Sequence, residues 1–470
     1  MKKLEIRMPT EKELPFLLLL IVGVMEFLFI TMESLFSYIG YYLVEDYIIV
    51  PCLLFVGIAL TGKLSSFAKK RMWLSAIAIF WFVVVQMIHK LSGMGTHPIG
   101  TVFFVYLMAF PFAAVTDDQE NKGLNMIGWT FIAAAMVQIF YATLLILDCV
   151  PSLLKQFVYW DGSRLNIFWH SNITACFLMI AIGLCAVFCF QCKGIWKKAS
   201  LITAMGLLFA VMALTNCRTT LLMTSAFFGS IIFFLISKGG WKRFVVGLLA
   251  ALVVLVISFN VSSDLFELHN EAMKMKIANQ LEILTVQDQQ LTSEDIAMIK
   301  ENVTENFSIY EGEVHIFSSS GQGSLSNDMC TLNGRTGVWK SALKAVRDNR
   351  SLLLWGTEYV GVAISVYNPF EVDHAHNSWM EMLLRLGVPG LLLAMAFTCI
   401  AVRSAWFVIW SQQAEIWKKV MAVLTMCVMV AGFLEPYLFV TNVYYHITDF
   451  IFFFCTGYLD YWRHQLKKAV

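Results

Sequence analysis

The sequence predicts an all-α, polytopic integral membrane protein with about twelve transmembrane helices and one large outward-facing helical loop. The 470 residues are 58% hydrophobic and only 14% charged, with a mean hydropathy of +0.68. A soluble domain cannot bury so much apolar surface, whereas membrane helices expose it to lipid. The net charge of +1 gives no sign of a nucleic-acid partner.

Repeated apolar runs support this fold class, because each is long enough to cross the hydrocarbon core. They lie near 14–35, 43–61, 73–91, 98–116, 126–148, 172–192, 200–216, 219–237, 244–260, 379–402, 419–440 and 447–462. No small-residue cleavage site follows the first run, so we expect a span there and no cleaved signal peptide. Most of the 11 cysteines lie in such runs and are predicted to be small buried hydrophobes.

The distribution of basic residues predicts the orientation. If the N-terminus is cytoplasmic, most of the 34 Lys and Arg residues fall on inner segments, as the positive-inside rule requires. Both termini are then cytoplasmic. We expect residues 1–260 to form transmembrane helices 1–9, residues 261–378 an extracytoplasmic loop domain, and residues 379–470 helices 10–12 with a cytoplasmic tail.

Ionisable residues collect at the predicted outer face, where their cost at membrane depth makes them functional candidates. A guanidinium binds phosphate oxygens in a two-pronged way, and a lipid-linked diphosphate places its phosphates at this level. A neutral imidazole nearby could take a proton from an attacking hydroxyl. The candidates are Arg164, His170, Arg218, Arg335, His374 and His376.

Each candidate also has a plainer interpretation. Arg164 and Arg218 could bind ordinary lipid phosphate, and Arg335 could form a surface ion pair. His170 could bond loop backbone. His374 and His376, with the preceding acidic residue, could bind zinc, but no third ligand motif follows them, so no metal site is predicted.

The helix after these histidines contains two further signals. Glu381 and Arg385 are four residues apart with Glu first, which is the favourable order for a helical ion pair. Gly387 and Pro389 predict that this helix ends or kinks, with a new span starting at Pro389.

Four segments together resemble the O-antigen ligase and O-antigen polymerase superfamily. The signature His-Asn followed by an apolar helix and Leu-Gly-x-x-Gly is matched by HAHNSWMEMLLRLGVPGLLL. NGRTGVWKSALKAVRDN resembles the outer-loop segment, NCRTTLL the Ser-Arg-Thr segment, and SRLNIFWHSN the entry to the central spans. The similar part runs from about 160 to 395, with the order and predicted membrane side in agreement.

The resemblance implies site residues. His376 falls on the family's essential His, Arg218 and Arg335 fall on its essential arginines, and Arg164 falls on a commonly basic position. The same segments supply supporting residues. These are Asn377, His374 and Trp339.

The sequence also departs from the family pattern. Cys217 replaces the usual Ser before the first essential arginine, residues 349–351 replace an Asn-Pro, and Arg385 stands where an acidic residue is frequent. None of these departures removes a proposed catalytic group, but they leave the donor and the acceptor open.

The function implied by the resemblance is an inverting, metal-independent glycosyl transfer. The donor is a polyprenyl diphosphate-linked oligosaccharide, and the acceptor is a hydroxyl of a glycan or lipid-glycan during cell-surface polysaccharide assembly. His376 acts as general base, Arg218 and Arg335 bind the diphosphate, and no cofactor is expected. Two alternatives stay open: a protein O-oligosaccharyltransferase, and a lipid-linked glycan flippase, although the ionisable groups crowd one surface instead of the bilayer midplane.

Overall fold

The computed structural model describes most of the chain, and helices dominate the part that it describes. The described residues are 66–93, 121–151, 158–161, 164–167, 171–237, 241–287, 307–310, 313–316, 335–367, 374–439 and 446–468. The predicted spans near 14–35, 43–61 and 98–116 lie outside these residues, as do His170 and the Ser/Gly-rich segment of the large loop.

The helices of the described part include one that overlaps each predicted span lying within it, one of which runs well past residue 260, and three that were not predicted as spans. They are α1 (Ser66–Leu91), α2 (Lys122–Ile146), α3 (Ser171–Gln191), α4 (Ile195–Leu214), α5 (Arg218–Ile236), α6 (Trp241–Gln287), α7 (Arg335–Asp348), α8 (Arg350–Trp355), α9 (Val360–Ser365), α10 (Ser378–Trp410), α11 (Ile416–Gly432) and α12 (His446–Lys468). Within the described residues, seven helices, α1 to α6 and α10, are long and apolar enough to cross a membrane. The protein is therefore a largely helical membrane protein.

A small β-sheet in the described part is an element that the sequence did not predict. It has four antiparallel strands in the order β2-β1-β3-β4. They are β1 (Tyr159–Asp161), β2 (Arg164–Asn166), β3 (Phe307–Tyr310) and β4 (Glu313–Ile316). Strands of three or four residues are too short to show a clear alternating pattern. The predicted helical loop contains two strands, β3 and β4, and α6 continues as a helix into it.

The chain divides into two compact units. Unit 1 consists of Met1–Ala134, Ala186–Gln191 and Leu332–Val470, and unit 2 consists of Ala135–Cys185 and Cys192–Thr331. Unit 1 thus contains α7 to α12, and unit 2 contains α4 to α6 and the sheet.

Within unit 1, α7 is amphipathic and buries one face. Val338, Ala342 and Val346 are buried together with Leu384 of α10, at the spacing that the sequence predicts for a helix face. Leu343, next to Ala342 in sequence, is 54% exposed and lies on the other side of the helix.

The predicted break in α10 occurs at Gly387. Its φ of 68° lies in the left-handed region, and Pro389 begins the second helical part. A Cβ on Gly387 would lie 2.4 Å from the carbonyl oxygen of Leu354, so the chain after α7 packs its backbone directly against the kink. Two backbone carbonyls near the break accept hydrogen bonds from outside the helix. The Leu384 carbonyl accepts from the Thr357 N–H at 2.7 Å, and the Leu386 carbonyl accepts from the Trp81 ring N–H at 3.0 Å.

Gly387→Ala should therefore destabilise the protein strongly. The left-handed backbone costs a non-glycine residue ~1–2 kcal/mol, and the new methyl group must displace backbone, so we expect a loss of about 2 kcal/mol or more. The measurement is thermal unfolding in detergent. Gly337→Ala is the matched control, because a Cβ there meets nothing within 4 Å. Equal melting temperatures of the Gly387→Ala and Gly337→Ala proteins would contradict the close approach of the Leu354 backbone to Gly387.

Candidate functional site

The candidate site of unit 1 lies at the N-terminus of α10, and Asn377 builds that terminus. Its side-chain oxygen accepts the backbone N–H groups of Trp379 and Met380, each at 3.0 Å. These are orphan donors of the first helical turn, so Asn377 is a normal N-cap. Its amide nitrogen donates to the Phe433 carbonyl at 2.9 Å. One side chain therefore both starts α10 and attaches it to the end of α11.

The turn that presents His376 is held at several points. His376 has a φ of +49°, a left-handed conformation that is uncommon outside glycine. Its N–H lies 3.4 Å from Nδ1 of His374, and the two rings are 4.2 Å apart. The Ala375 N–H donates to Glu381 at 2.9 Å, and the Ala375 carbonyl accepts from the Trp339 ring at 3.0 Å. The predicted supporting residues His374 and Trp339 thus both shape this turn.

His376 and Arg335 meet on the same buried carboxylate, Glu435. Nδ1 of His376 is 3.4 Å from one carboxylate oxygen, and a terminal nitrogen of Arg335 donates to the other. The Glu435 side chain is 3% exposed, whereas those of His376 and Arg335 are 33% and 27% exposed. The carboxylate is therefore buried, whereas the imidazole and the guanidinium are partly exposed.

Glu435 is held in its ionised form. Burial of its carboxyl opposes ionisation, but the hydrogen bond from His376 and the positive charge of Arg335 hold its pKa below the usual range. A carboxylate only accepts hydrogen bonds, so Nδ1 of His376 is the donor. The other ring nitrogen, Nε2, is not engaged by Glu435.

Glu435 was missed in the sequence analysis. It follows α11 in the stretch GFLEPY, so an ionisable residue at the end of an apolar run was the available signal. The segment around it is fixed to α10, because the Ser378 hydroxyl donates to the Glu435 carbonyl at 3.2 Å and accepts from the Leu438 N–H at 2.9 Å.

A second network of buried charged residues holds the turn at residues 374–376 in place. The predicted pair of Glu381 and Arg385 is confirmed, with Nε 2.7 Å from the carboxylate. Arg385 also lies 3.8 Å from Glu358, and Nδ1 of His89 lies 3.3 Å from the other oxygen of Glu358. Burial opposes ionisation of Glu358, but hydrogen bonds, first that of His89, hold its pKa below the usual range. Glu381, which binds the Ala375 N–H, is therefore anchored by a chain of opposite charges.

Unit 2 contains the two remaining predicted arginines. Arg164 donates from Nε to the Thr215 carbonyl at 2.9 Å and from a terminal nitrogen to Asn172 at 2.8 Å. It therefore braces the turn that leads into Arg218, the first residue of α5. Within the described residues, no hydrogen bond or ion pair engages the Arg218 side chain. Its cation stands at a helix N-terminus, where backbone N–H groups also favour an anion.

The structure thus groups the predicted residues in two sets. Unit 1 brings together Arg335, Trp339, His374, His376 and Asn377, and unit 2 brings together Arg164 and Arg218. The described residues contain no group of three or more His, Cys, Asp or Glu side chains placed to hold an ion, and the acidic residue before His374 lies outside them.

A comparison with protein families gives a match at residues 203–395, and the matching family is described as O-antigen ligase. The matched range includes Arg218, Arg335 and His376, but Arg164 and Glu435 lie outside it. No curated protein matches the chain. Residues 203–395 are therefore similar to the O-antigen ligase family, and this match supports the resemblance to the O-antigen ligase and O-antigen polymerase superfamily.

Proposed function

We propose that this membrane protein transfers a glycan from a polyprenyl diphosphate-linked oligosaccharide to an acceptor hydroxyl, as a polymerase or ligase of cell-surface polysaccharide. The match to the O-antigen ligase family supports glycosyl transfer of this general type from a lipid-linked glycan. The observation that carries the proposal is the cluster of His376, Glu435 and Arg335. It places a base with a free nitrogen beside a cation on one partly exposed face.

His376 acts as the general base. Its Nδ1 donates to the ionised Glu435, so Nε2 accepts the proton of the acceptor hydroxyl as that oxygen attacks. The imidazolium that forms is stabilised by the adjacent carboxylate. The Nδ1–carboxylate distance of 3.4 Å is long for a hydrogen bond, and such contacts commonly tighten when substrate binds.

Arg335 and Arg218 bind the diphosphate. A guanidinium has five N–H donors in a fixed fork, so Arg335 retains donors for phosphate oxygens while one nitrogen holds Glu435. Arg218 adds a second cation at the N-terminus of α5. Preorganised donors of this kind are commonly worth ~10²–10³ in rate each, because negative charge grows on the leaving group. Arg164 contributes by fixing the turn before Arg218.

The reaction balances without any other reactant. The bond between the anomeric carbon and the diphosphate oxygen breaks, and a new glycosidic bond forms to the acceptor oxygen. The proton of the acceptor passes to His376, and polyprenyl diphosphate leaves with the bonding electrons. Attack from the side opposite the leaving group inverts the anomeric carbon.

The site faces the outer side of the cytoplasmic membrane in this proposal. Both termini are then cytoplasmic, and the loop of about 261–378 contributes Arg335 from outside. The distribution of Lys and Arg supports this orientation, and lipid-linked glycans present their diphosphates at the membrane surface.

The decisive experiment uses purified protein in detergent with a polyprenyl diphosphate-linked oligosaccharide and an acceptor glycan. We expect release of polyprenyl diphosphate and a lengthened acceptor without added nucleotide. Arg218→Lys should lower turnover ~10²-fold or more, because an ammonium is a point charge and cannot reproduce a two-pronged phosphate contact. Arg335→Ala should lose activity similarly.

Arg347→Lys is the matched control, since Arg347 lies on the same helix as Arg335 but pairs with Asp348 at the surface. Its activity should equal that of the unmodified protein. A protein that moves the donor between two compartments but forms no new glycosidic bond would be a flippase. Full activity of the Arg218→Ala, Arg335→Ala double variant would exclude the diphosphate role.

A further inference from the structure

A cavity of about 580 Å³ lies between the C-terminal parts of α10 and α12, far along both helices from the His376 turn. Its α10 wall is a stripe at helical spacing, Thr398, Cys399, Val402, Arg403 and Trp406, with Phe407 beside it. Such a volume is within the range of ordinary ligand pockets. The cavity is thus a second candidate binding site in unit 1.

The wall is apolar apart from its cations. Arg403 of α10 and Arg463 and Lys467 of α12 line the cavity, and among the described residues no carboxylate lines it. Arg463 is held in place by two hydrogen bonds to the buried Asp460, at 3.2 and 2.6 Å. The cavity therefore carries a net positive charge, with one of its cations rigidly positioned.

The cations and the apolar wall are arranged in order along the helices. Thr398, Cys399 and Val402 come before Arg403 on α10, so they lie further from the helix end. Trp406 and Trp410 are 63% and 52% exposed, with rings 5.6 Å apart. Exposed tryptophans beside cations are typical of the level where lipid headgroups meet hydrocarbon. The charges are thus at headgroup level, with apolar wall extending inward from them.

From this arrangement we propose that the cavity binds one acidic phospholipid of the leaflet at the C-terminal ends of α10 and α12. The phosphate lies among Arg403, Arg463 and Lys467. An acyl chain lies along Val402 and Cys399. Basic pockets between transmembrane helices recognise acidic headgroups through this combination of charge and apolar wall, and an inorganic anion would use only the charged end.

The test follows alkylation of Cys399, which lines the cavity and is exposed. The full-length protein in detergent is treated with a maleimide, and modification is measured on the Cys399 peptide by mass spectrometry. Phosphatidylglycerol should slow this modification, whereas phosphatidylcholine at the same concentration and millimolar inorganic phosphate should not. Equal protection by phosphatidylcholine, or protection by phosphate alone, would overturn the proposal.

The variant arm removes two exposed cations. Arg403→Gln with Lys467→Gln should raise the phosphatidylglycerol concentration needed for protection by about 30-fold. Each of the two cations is expected to strengthen binding of the anionic headgroup by about fivefold. Lys197→Gln with Lys198→Gln is the matched control, since these lysines lie on α4 and do not line the cavity. Its protection should equal that of the unmodified protein.

Thermal unfolding of both double variants is measured as a control for folding. If both variants unfold like the unmodified protein, a change in protection reports a change in lipid binding. Protection that is unchanged in the Arg403→Gln, Lys467→Gln protein would remove the role of the cations. Protection that falls equally in the Lys197→Gln, Lys198→Gln protein would indicate general charge attraction instead of a site, and would also overturn the proposal.

Discussion

His376→Ala is expected to lower the rate of glycan transfer by ~10²–10⁴-fold, which is the usual contribution of a positioned general base. The side chain is partly exposed, so its removal leaves the buried core intact and insertion unchanged. The measurement is the initial rate of polyprenyl diphosphate release with saturating donor. Because donor binding rests on the arginines, the loss should fall mainly on kcat.

His374→Ala is the matched control. Its ring lies beside His376 and accepts from the His376 N–H at 3.4 Å. It therefore shapes the turn, whereas the ring of His376 contacts Glu435. We expect a loss of about tenfold or less, on the scale of one weak hydrogen bond. Equal losses in the two variants, together with activity that requires added zinc, would favour the metal alternative.

Glu435→Gln is expected to lower the rate by ~10²–10³-fold, although Glu435 contacts no substrate. Glutamine keeps the size and an acceptor oxygen, but it removes the negative charge that stabilises imidazolium at His376. It also removes the negative charge that is paired with Arg335. Glu415→Gln is the matched control at the other end of α11, where the carboxylate is 62% exposed. A Glu435→Gln protein with normal kcat would show that the carboxylate is only structural.

The same substitution has a predicted pH signature in stability. The pKa of Glu435 is lowered by folding, so its contribution is present above the unfolded pKa and is lost as the pH falls through the folded value. The gap in melting temperature between the unmodified and Glu435→Gln proteins should therefore be largest near neutral pH. It should narrow below about pH 4, where glutamates begin to protonate. A gap that is constant over this range would contradict the ionised state.

Much of the fold was predictable from sequence because apolar runs, charge asymmetry and helix breakers are local properties. The predicted span near 172–192 contains an uninterrupted apolar run at 175–190, and the break at Gly387 combines a glycine with a proline two residues later. The pair of Glu381 and Arg385 needs only helical spacing. The small sheet was not predictable, since β1 and β3 pair segments that are far apart and only three or four residues long.

The sequence by itself determined the membrane class, the kink of α10, and the identity of His376 and Arg335 as candidates. Only the tertiary structure decided what these two residues share. Glu435 is 59 residues from His376 and 100 from Arg335, and nothing in the local pattern says which helix ends will meet. The ionisation of a buried carboxylate depends on the charges that folding brings to it. For this reason, sequence pattern alone could not predict that His376, Glu435 and Arg335 lie together.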